Sequence, residues 1–514
     1  MLLLADALLR GMTFTGETRS AKVGDDVRIE CLFVPYPCAF TDEMRGFLGR
    51  PVNAELVKEI EAETHRYYRQ EGFPIVAVKG VERGDVIVVG VLVGRIGELD
   101  VSGARWFSNK WVREQIRAEV GDYVNMGQLR DDVAWLSRDR FLDATVWLEK
   151  GRQMGETHVH VQVEDQFPLR VYGGYLNTGN LIAGNSRYLT GVNAGNLWGI
   201  GHLFDFELQM APDFSEWWSA TTAYKAPLPW HHMLELFGGY VRTKPEVEAL
   251  EGMIGYQWQT SGRYRIPLRS REHYQHEAVI GYDFKRTNNF LSIDPTQITP
   301  TSIDVSQFPL AYQGKETDWF GATTFNLVVT ISPGYMTAFD RKPEYELERS
   351  GAKPTYAYFT ANVERENELP YEMNWLVYSS LQLTINHLIP SEEFVLGGYE
   401  SVRGYNEDEI VSDRGFLLRN EFRIPPWHIV KKRKWETDLV FLGFVDFGYA
   451  NDVDQDIFDK NSAVLASVGP GARFHVGDYL RAYLDWGYQL HQLKDRPFAS
   501  ETPHRMHAGI ELAF

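Results

Sequence analysis

From Phe167 to the carboxyl end, apolar and polar residues alternate. In HLFDFELQMA, Phe204, Phe206, Leu208 and Met210 fall on one side, and Asp205, Glu207 and Gln209 on the other. In LRAYLDWGYQLHQ, one set is Leu480, Ala482, Leu484, Trp486, Tyr488 and Leu490. The opposite set is Arg481, Tyr483, Asp485, Gly487, Gln489 and His491. The closing MHAGIELAF sets Met506, Ala508, Ile510, Leu512 and Phe514 against His507, Gly509, Glu511 and Ala513. A period of two is that of a strand with two unlike faces. These segments run about nine to thirteen residues, against a usual strand of about five or six. Their apolar faces are rich in aromatics near the ends. The connectors alternate between short, such as GNLWGIGH, APLPWHH and YRIPLRSREH, and long, such as FLSIDPTQITPTSIDVSQF, TAFDRKPEYELERSGAKP, 390–414 and NDVDQDIFDKNS. That combination predicts a transmembrane antiparallel β-barrel of about 16 strands over residues 167–514.

Before Phe167 the period changes. NAELVKEIEAETHRYYRQEG predicts a helix capped by Asn53 and stopped at Gly72, with Leu56, Ile60 and Tyr67 on one face. It lies between a strand, DVRIECLFV, and two more, PIVAVKGV and DVIVVGVLVGRI. The pattern recurs as GRIGELDVSG, two short helices (the second aligning Leu129, Val133 and Leu136), DATVWLEKG and THVHVQVED. A repeat of about 70 residues predicts two small α/β modules, 26–94 and 95–166. Residues 1–25 read as a linker or a truncated plug. His158 and His160 share one face of the last strand, but no further ligand is evident beside them. They read as solvated, and no metal site is assigned.

Composition narrows the classes. No segment approaches the roughly 18 to 20 apolar residues of a membrane helix, which leaves a strand-built span open. A net charge of −18 argues against a nucleic-acid binder held by phosphate contacts. Cys31 and Cys38 are the only cysteines; an oxidising compartment allows a disulfide between them, the cytosol leaves free thiols, and a pair of unpaired, merely structural cysteines is the alternative. The opening MLLLADALLRGM lacks a basic region before its leucines and is a poor signal peptide; if the protein is exported, its leader is expected upstream. No G-x-x-x-x-G-K-[ST] or G-x-S-x-G motif occurs and the histidines are scattered. Neither an enzyme nor a bound cofactor is expected. KKRK, from Lys431 to Lys434, reads as a solvated turn.

Residues 397–409, GGYESVRGYNEDE, are too polar for a core strand and too rich in glycine for a helix. Val402 and Tyr405 nevertheless suit burial, and Arg403 lies between them. The stretch PSEEFVLGGYESVRGYNEDEIVSDRGF resembles the sixth extracellular loop of the POTRA-barrel superfamily. That superfamily comprises BamA- and TamA-type assembly factors and the two-partner-secretion transporters. The VRGY tetrad (Val402, Arg403, Gly404, Tyr405) is its shared mark, and the frame PSEEF-LGG-SVRGY looks most like the ShlB/FhaC/HecB branch. FVDFG, with Phe444, Asp446 and Gly448, resembles the family's F-x-D-x-G strand. HAGIELAF, with Gly509, Leu512 and Phe514, resembles the terminal signal for barrel insertion. The paired modules resemble two POTRA domains, the number expected for a two-partner-secretion transporter. The resemblance covers nearly the whole chain.

It implies periplasmic α+β POTRA domains followed by a barrel in the bacterial outer membrane. It also implies that the 390–414 loop folds into the lumen and gates it, with Arg403 meeting Asp446. A planar guanidinium suits a carboxylate in a way that lysine does not. Alternation independently places Asp446 opposite Phe441, Val445 and Phe447, on the lumen side. The implied function is type Vb, two-partner secretion of an unfolded exoprotein of the haemolysin or adhesin kind. The POTRA domains would capture it along PIVAVKGV with Leu56 and Ile60, and along DATVWLEKG with Leu129 and Val133. Lipid and, during biogenesis, the barrel-assembly machinery are the other implied partners. The alternative is a BamA/TamA-type factor that assembles other barrels.

Overall fold

A computed structural model describes residues 9–16, 26–180, 183–244, 255–271, 273–289, 301–431, 435–453, 462–493 and 502–514. The Lys432–Lys434 part of KKRK and most of NDVDQDIFDKNS lie outside them. The chain divides into two units, Met1–Phe167 and Pro168–Phe514.

The first unit holds strands Gly11–Thr15 (β1) and Asp26–Glu30 (β2), helices Pro37–Arg45 (α1) and Ala54–Gln70 (α2), and strands Val76–Arg83 (β3) and Val86–Val93 (β4). It continues with Arg95–Ser102 (β5), helices Asn109–Glu114 (α3) and Met126–Leu136 (α4), then Leu142–Lys150 (β6) and Glu156–Asp165 (β7). The long helix α2 starts and stops as its sequence dictates. The Asn53 side chain accepts from Leu56 N–H at 2.7 Å. At the other end Gly72 adopts φ 91°, and Phe73 N–H reaches Tyr68 C=O at 2.8 Å, the bond that closes a Schellman motif.

For its described residues, 9–16, the reading of 1–25 as linker or plug is corrected. β1 is an inner strand of the sheet β2-β1-β4-β3, parallel to both neighbours. Met12 and Phe14 are fully buried among Phe40, Met44, Ile60 and Tyr68. In the second module β5 runs parallel to β7, and β7 antiparallel to β6. By that correspondence β1, not DVRIECLFV, is the counterpart of β5. DVRIE is an added edge strand, and it ends where Cys31 takes φ 47°. Five residues whose partners are all distant carry too little local pattern to reveal a central strand.

The second unit is a closed barrel of sixteen strands. In order they begin Leu169–Leu176 (β8), Arg187–Leu197 (β9), His202–Met210 (β10), Trp217–Pro227 (β11), Met233–Thr243 (β12) and Gly255–Pro267 (β13). Tyr274–Asn289 (β14), Thr301–Asp318 (β15), Gly321–Ser332 (β16), Tyr356–Leu369 (β17) and Met373–Thr384 (β18) follow. A small hairpin, Phe394–Leu396 (β19) with Ile410–Ser412 (β20), stands apart from the wall. The wall resumes with Arg414–Arg423 (β21), Trp427–Val430 (β22), Thr437–Asn451 (β23), Ser462–Val476 (β24), Leu480–Gln489 (β25) and His504–Ala513 (β26). β21 and β22 both pair with β23 and make one wall strand, broken at Pro425-Pro426 because proline has no ladder N–H to give. β26 closes on β8 through five residue pairs, against fifteen between β23 and β24.

Alternation governs the wall. Phe441, Val445, Phe447, Leu484, Trp486, Ile510 and Leu512 are exposed outward, while Asp446, Asp485 and His507 are fully buried inward. Trp198, Trp230, Trp319, Trp427 and Trp435 are exposed at the short-turn end, where an interfacial aromatic belt belongs. One long connector is shorter than its composition suggests: Thr301–Phe308 already belongs to β15. Ile303 and Val305 there bury against Tyr345 of a helix, Lys342–Glu348 (α5), and against Leu388 and Ile389.

Phe14→Ala is expected to destabilise the first module by about 3–5 kcal/mol, the usual cost of deleting a buried ring. Chemical unfolding of the full chain, followed by proteolysis at the first module, checks this; no change would mean that β1 is not part of the core.

Candidate functional site

A guanidinium has five N–H donors and no acceptor, so it can be buried only among carboxylates and carbonyls. Arg403 is 0% exposed. The β19–β20 hairpin carries it into the lumen, where Leu396, Val402, Tyr405 and Ile410 pack on Leu417, Ala450, Ala463 and Leu465 of the wall. Its Nε and Nη2 donate to the two oxygens of Asp446 at 2.7 and 2.9 Å. Its Nη1 reaches Glu421 at 2.9 Å and Asp485 at 3.0 Å. The guanidinium carbon lies 3.6 Å from the centre of the Phe444 ring, a cation–π distance.

Neighbouring arginines complete the charge balance. Arg473 donates to Asp485 at 3.0 Å and to Glu421 at 3.3 Å. Arg423 donates to Glu421 at 2.7 Å. Three guanidinium groups therefore face three carboxylates. Burial by itself would lower the pKa of Arg403, but the bonds to Asp446 and the charges of Asp485 and Glu421 outweigh it and raise the value. The group stays charged.

The FVDFG strand has a part for each inward residue. Phe444 supplies the ring beneath the cation and Asp446 the bidentate acceptor. Gly448 leaves space: a Cβ there would stand 2.9 Å from Val402 Cγ2. Gly404 has φ 92° and lies backbone to backbone on Gly487, where an added Cβ would fall 2.5 Å from Gly404 N. Gly404 N–H donates to His507 Nε2 at 3.0 Å, and Gln489 Nε2 donates to Gly404 C=O at 2.7 Å. The Tyr405 hydroxyl sits between the carbonyls of Ala466 and His491 and accepts from Ala466 N–H. At the base of the loop, Arg349 bonds Asp413 and Leu388 C=O, and Lys285 bonds Glu392 at 2.7 Å. The tetrad is thus held by wall strands β21 and β23 through β26.

The sequence named Arg403 and Asp446 but missed Glu421, Asp485, Arg473, His507 and Gly487. Alternation placed Asp485 and Gly487 in the opposite set of one strand and His507 in that of another. Nothing local says which members of the two sets converge. In the first unit, Leu56, Ile60 and Leu129 are core residues with almost no exposed surface, and Val133 is half-buried. Leu56, Ile60 and Leu129 cannot line an open groove, and the reading of these three as substrate contacts is corrected: the helix face that packs on a sheet is the face that periodicity picks out. β3 and β6 are sheet edges, and Gly80 N–H on β3 donates to Glu61 of α2 at 2.7 Å. Cys31 and Cys38 are exposed free thiols, not a disulfide. Of the terminal residues, Leu512 and Phe514 face outward, while Gly509 faces in beneath Tyr483, whose ring would lie 2.3 Å from an added Cβ.

A family model described as haemolysin secretion/activation protein ShlB/FhaC/HecB matches residues 155–474. The chain is similar to the outer membrane transporter CdiB of Dickeya dadantii, 21% identical over 435 residues, or 82% of this chain and 74% of that one. It is similar to the heme/hemopexin transporter protein HuxB of Haemophilus influenzae, 22% identical over 462 residues, 84% and 77% of the two chains. Among solved structures, CdiB from Escherichia coli superposes with a TM-score of 0.78 at 15% identity, over 99% of this chain and 90% of that. BamA from Haemophilus ducreyi lacking POTRA domains 1-3 gives 0.52 at 12% identity, over 91% and 95%. At these identities the structural likeness is one of fold.

Removing Arg403 leaves buried carboxylates uncompensated, at a cost of about 3–5 kcal/mol. In a chain with Cys31 and Cys38 replaced by serine, Val402→Cys is expected to resist an impermeant maleimide. Adding Arg403→Ala is expected to expose it, and Arg403→Lys as well, because an ammonium cannot reproduce the fork. Continued protection in Arg403→Ala would show that packing alone seats the loop.

Proposed function

The chain belongs to the haemolysin secretion/activation family ShlB/FhaC/HecB, and on that premise we propose that it exports an unfolded partner protein through its barrel, with the 390–414 loop as the gate. Members of this family are outer-membrane transporters of the two-partner secretion type. The observation that carries the gate is the fully buried Arg403 inside a charge-neutral set of arginines and carboxylates. It seats in the lumen a hairpin that is tied by side chains rather than woven into the wall. Such a hairpin can leave without opening a wall strand, whereas a wall strand cannot leave without exposing its backbone groups to lipid.

Capture begins in the first unit. An extended segment of the cargo adds to a free sheet edge, where main-chain bonds serve many sequences. Edge β3 offers such a site, and Glu61, which already accepts from Gly80 N–H, is what an incoming carbonyl would displace. The cargo then threads the barrel. The sequence carries no G-x-x-x-x-G-K-[ST] motif, and folding of the emerged segment outside the cell, or its binding there, draws the rest through. Surrounding lipid and the assembly machinery that inserts the barrel are the remaining partners.

The planar-bilayer conductance of the refolded chain is expected to be small or flickering, and to become large and steady when residues 394–412 are deleted. Equal conductance in the two forms would remove the gate from the reading. Proline at Val78, whose N–H shares the outward side of β3 with Gly80, is expected to lower the amount of cargo in the medium at unchanged barrel levels. Loss of other outer-membrane barrels on depletion of the protein, with secretion unaffected, would favour the assembly-factor alternative.

A further inference from the structure

The sheet of the second module has one covered face and one open face. Val159, Val161 and Val163 of its central strand β7 are buried beneath the helices, while His158 and His160 point to the other side, half-buried. Sequence spacing shows no third ligand near these histidines. The fold supplies several. Parallel pairing sets Asp100 of β5 opposite His160 and Glu98 opposite His158. Antiparallel pairing sets Glu149 of β6 opposite His158, and Trp147 opposite His160.

The atoms converge. Asp100 Oδ1 lies 2.5 Å from His158 Nε2 and 2.9 Å from His160 Nδ1. One ligand atom from each of the three residues lies within 4.8 Å of the others. Both imidazoles also face a carboxylate on their far side: Glu149 Oε2 is 3.0 Å from His160 Nε2, and Glu98 Oε2 is 4.0 Å from His158 Nδ1. The Trp147 ring stacks on His160, centroids 5.3 Å apart, and fixes that imidazole further.

This arrangement poses a proton problem. A neutral imidazole has one N–H. The His160 hydrogen that serves Glu149 leaves Nδ1 turning a lone pair toward Asp100 Oδ1 at 2.9 Å, while the single hydrogen of His158 goes to that same oxygen. Charge points the same way. Glu98, Asp100 and Glu149 carry three negative charges, and Arg152, 3.4 Å from Glu98, offsets one. A divalent cation capping the three inner atoms, with the 2.5 Å contact opening to admit it, satisfies both counts. Two imidazole nitrogens and a carboxylate oxygen are a ligand set that Zn²⁺ accepts, and carboxylates on the outer nitrogens are the usual means of orienting such histidines.

We propose that Asp100, His158 and His160 form a zinc site on the open face of the second module, with Glu149 and Glu98 as its outer partners. The ion joins β5 to β7 directly and β6 through Glu149. Its fourth position is left to water or to a donor from a passing chain. The proposal is independent of the transport reading, because binding is measured on the protein alone.

The test uses the untagged full chain in detergent. Zn²⁺ is titrated against a chromophoric chelator, and Co²⁺ is added separately to read the ligand field. One equivalent is expected to bind, with the visible bands of tetrahedral Co²⁺ and a raised unfolding temperature on adding Zn²⁺. His158→Gln and His160→Gln are expected to abolish that equivalent, Glu149→Gln to weaken it about 10–100-fold, and His65→Gln on α2 to leave it unchanged. Equal Zn²⁺ binding by wild type and the His158→Gln/His160→Gln double variant would overturn the site. So would an octahedral Co²⁺ spectrum in the wild type, a readout that needs no variant to fold.

Discussion

Lipid offers a peptide group no hydrogen-bond partner, so a sheet that crosses a bilayer must leave no edge. The closure of β26 on β8 meets that demand with five residue pairs. Everything inside the barrel follows from it. A closed wall with alternating faces turns its apolar side chains outward and gathers its polar ones in a lumen shielded from lipid. In that enclosure a charged loop can be held by charges on the wall.

The lumen loop exploits this in a way that a salt bridge of two partners would not. Arg403 touches carboxylates from three different wall strands, β21, β23 and β25. The adjoining Gly404 is bonded from β26. A buried ion pair is weak evidence of net stabilisation, because desolvation offsets much of the attraction. Its use here is positional. Removing any one partner strands the others, so the hairpin has one seat in the lumen, and leaving that seat breaks many bonds together.

The two modules of the first unit show how one plan takes on different edges. In both, the first strand runs parallel to the last and the penultimate strand runs antiparallel to it. The first module adds β2 beside its opening strand; the second does not. β3 and β6 are therefore equivalent edges, and the open face of the second sheet is where acidic and imidazole side chains from separate strands come together.

Local pattern by itself determined much of this protein. Period two fixed the inward and outward parity of Asp446, Phe447, Asp485 and Trp486, because a strand's side chains alternate whatever its neighbours are. Asn53 and Gly72 fixed the ends of α2, because capping is a matter of a few adjacent residues. The VRGY and FVDFG stretches brought Arg403 and Asp446 into one expectation through family resemblance. What only the tertiary structure decided is pairing between distant segments. Glu421 and Asp485 join Asp446 around one guanidinium; Gly11–Thr15 lies between β2 and β4; Asp100 stands beside His158 and His160. Each depends on which strands become neighbours and in which register, and that choice is made by the packing of the whole sheet, which no short window of sequence contains.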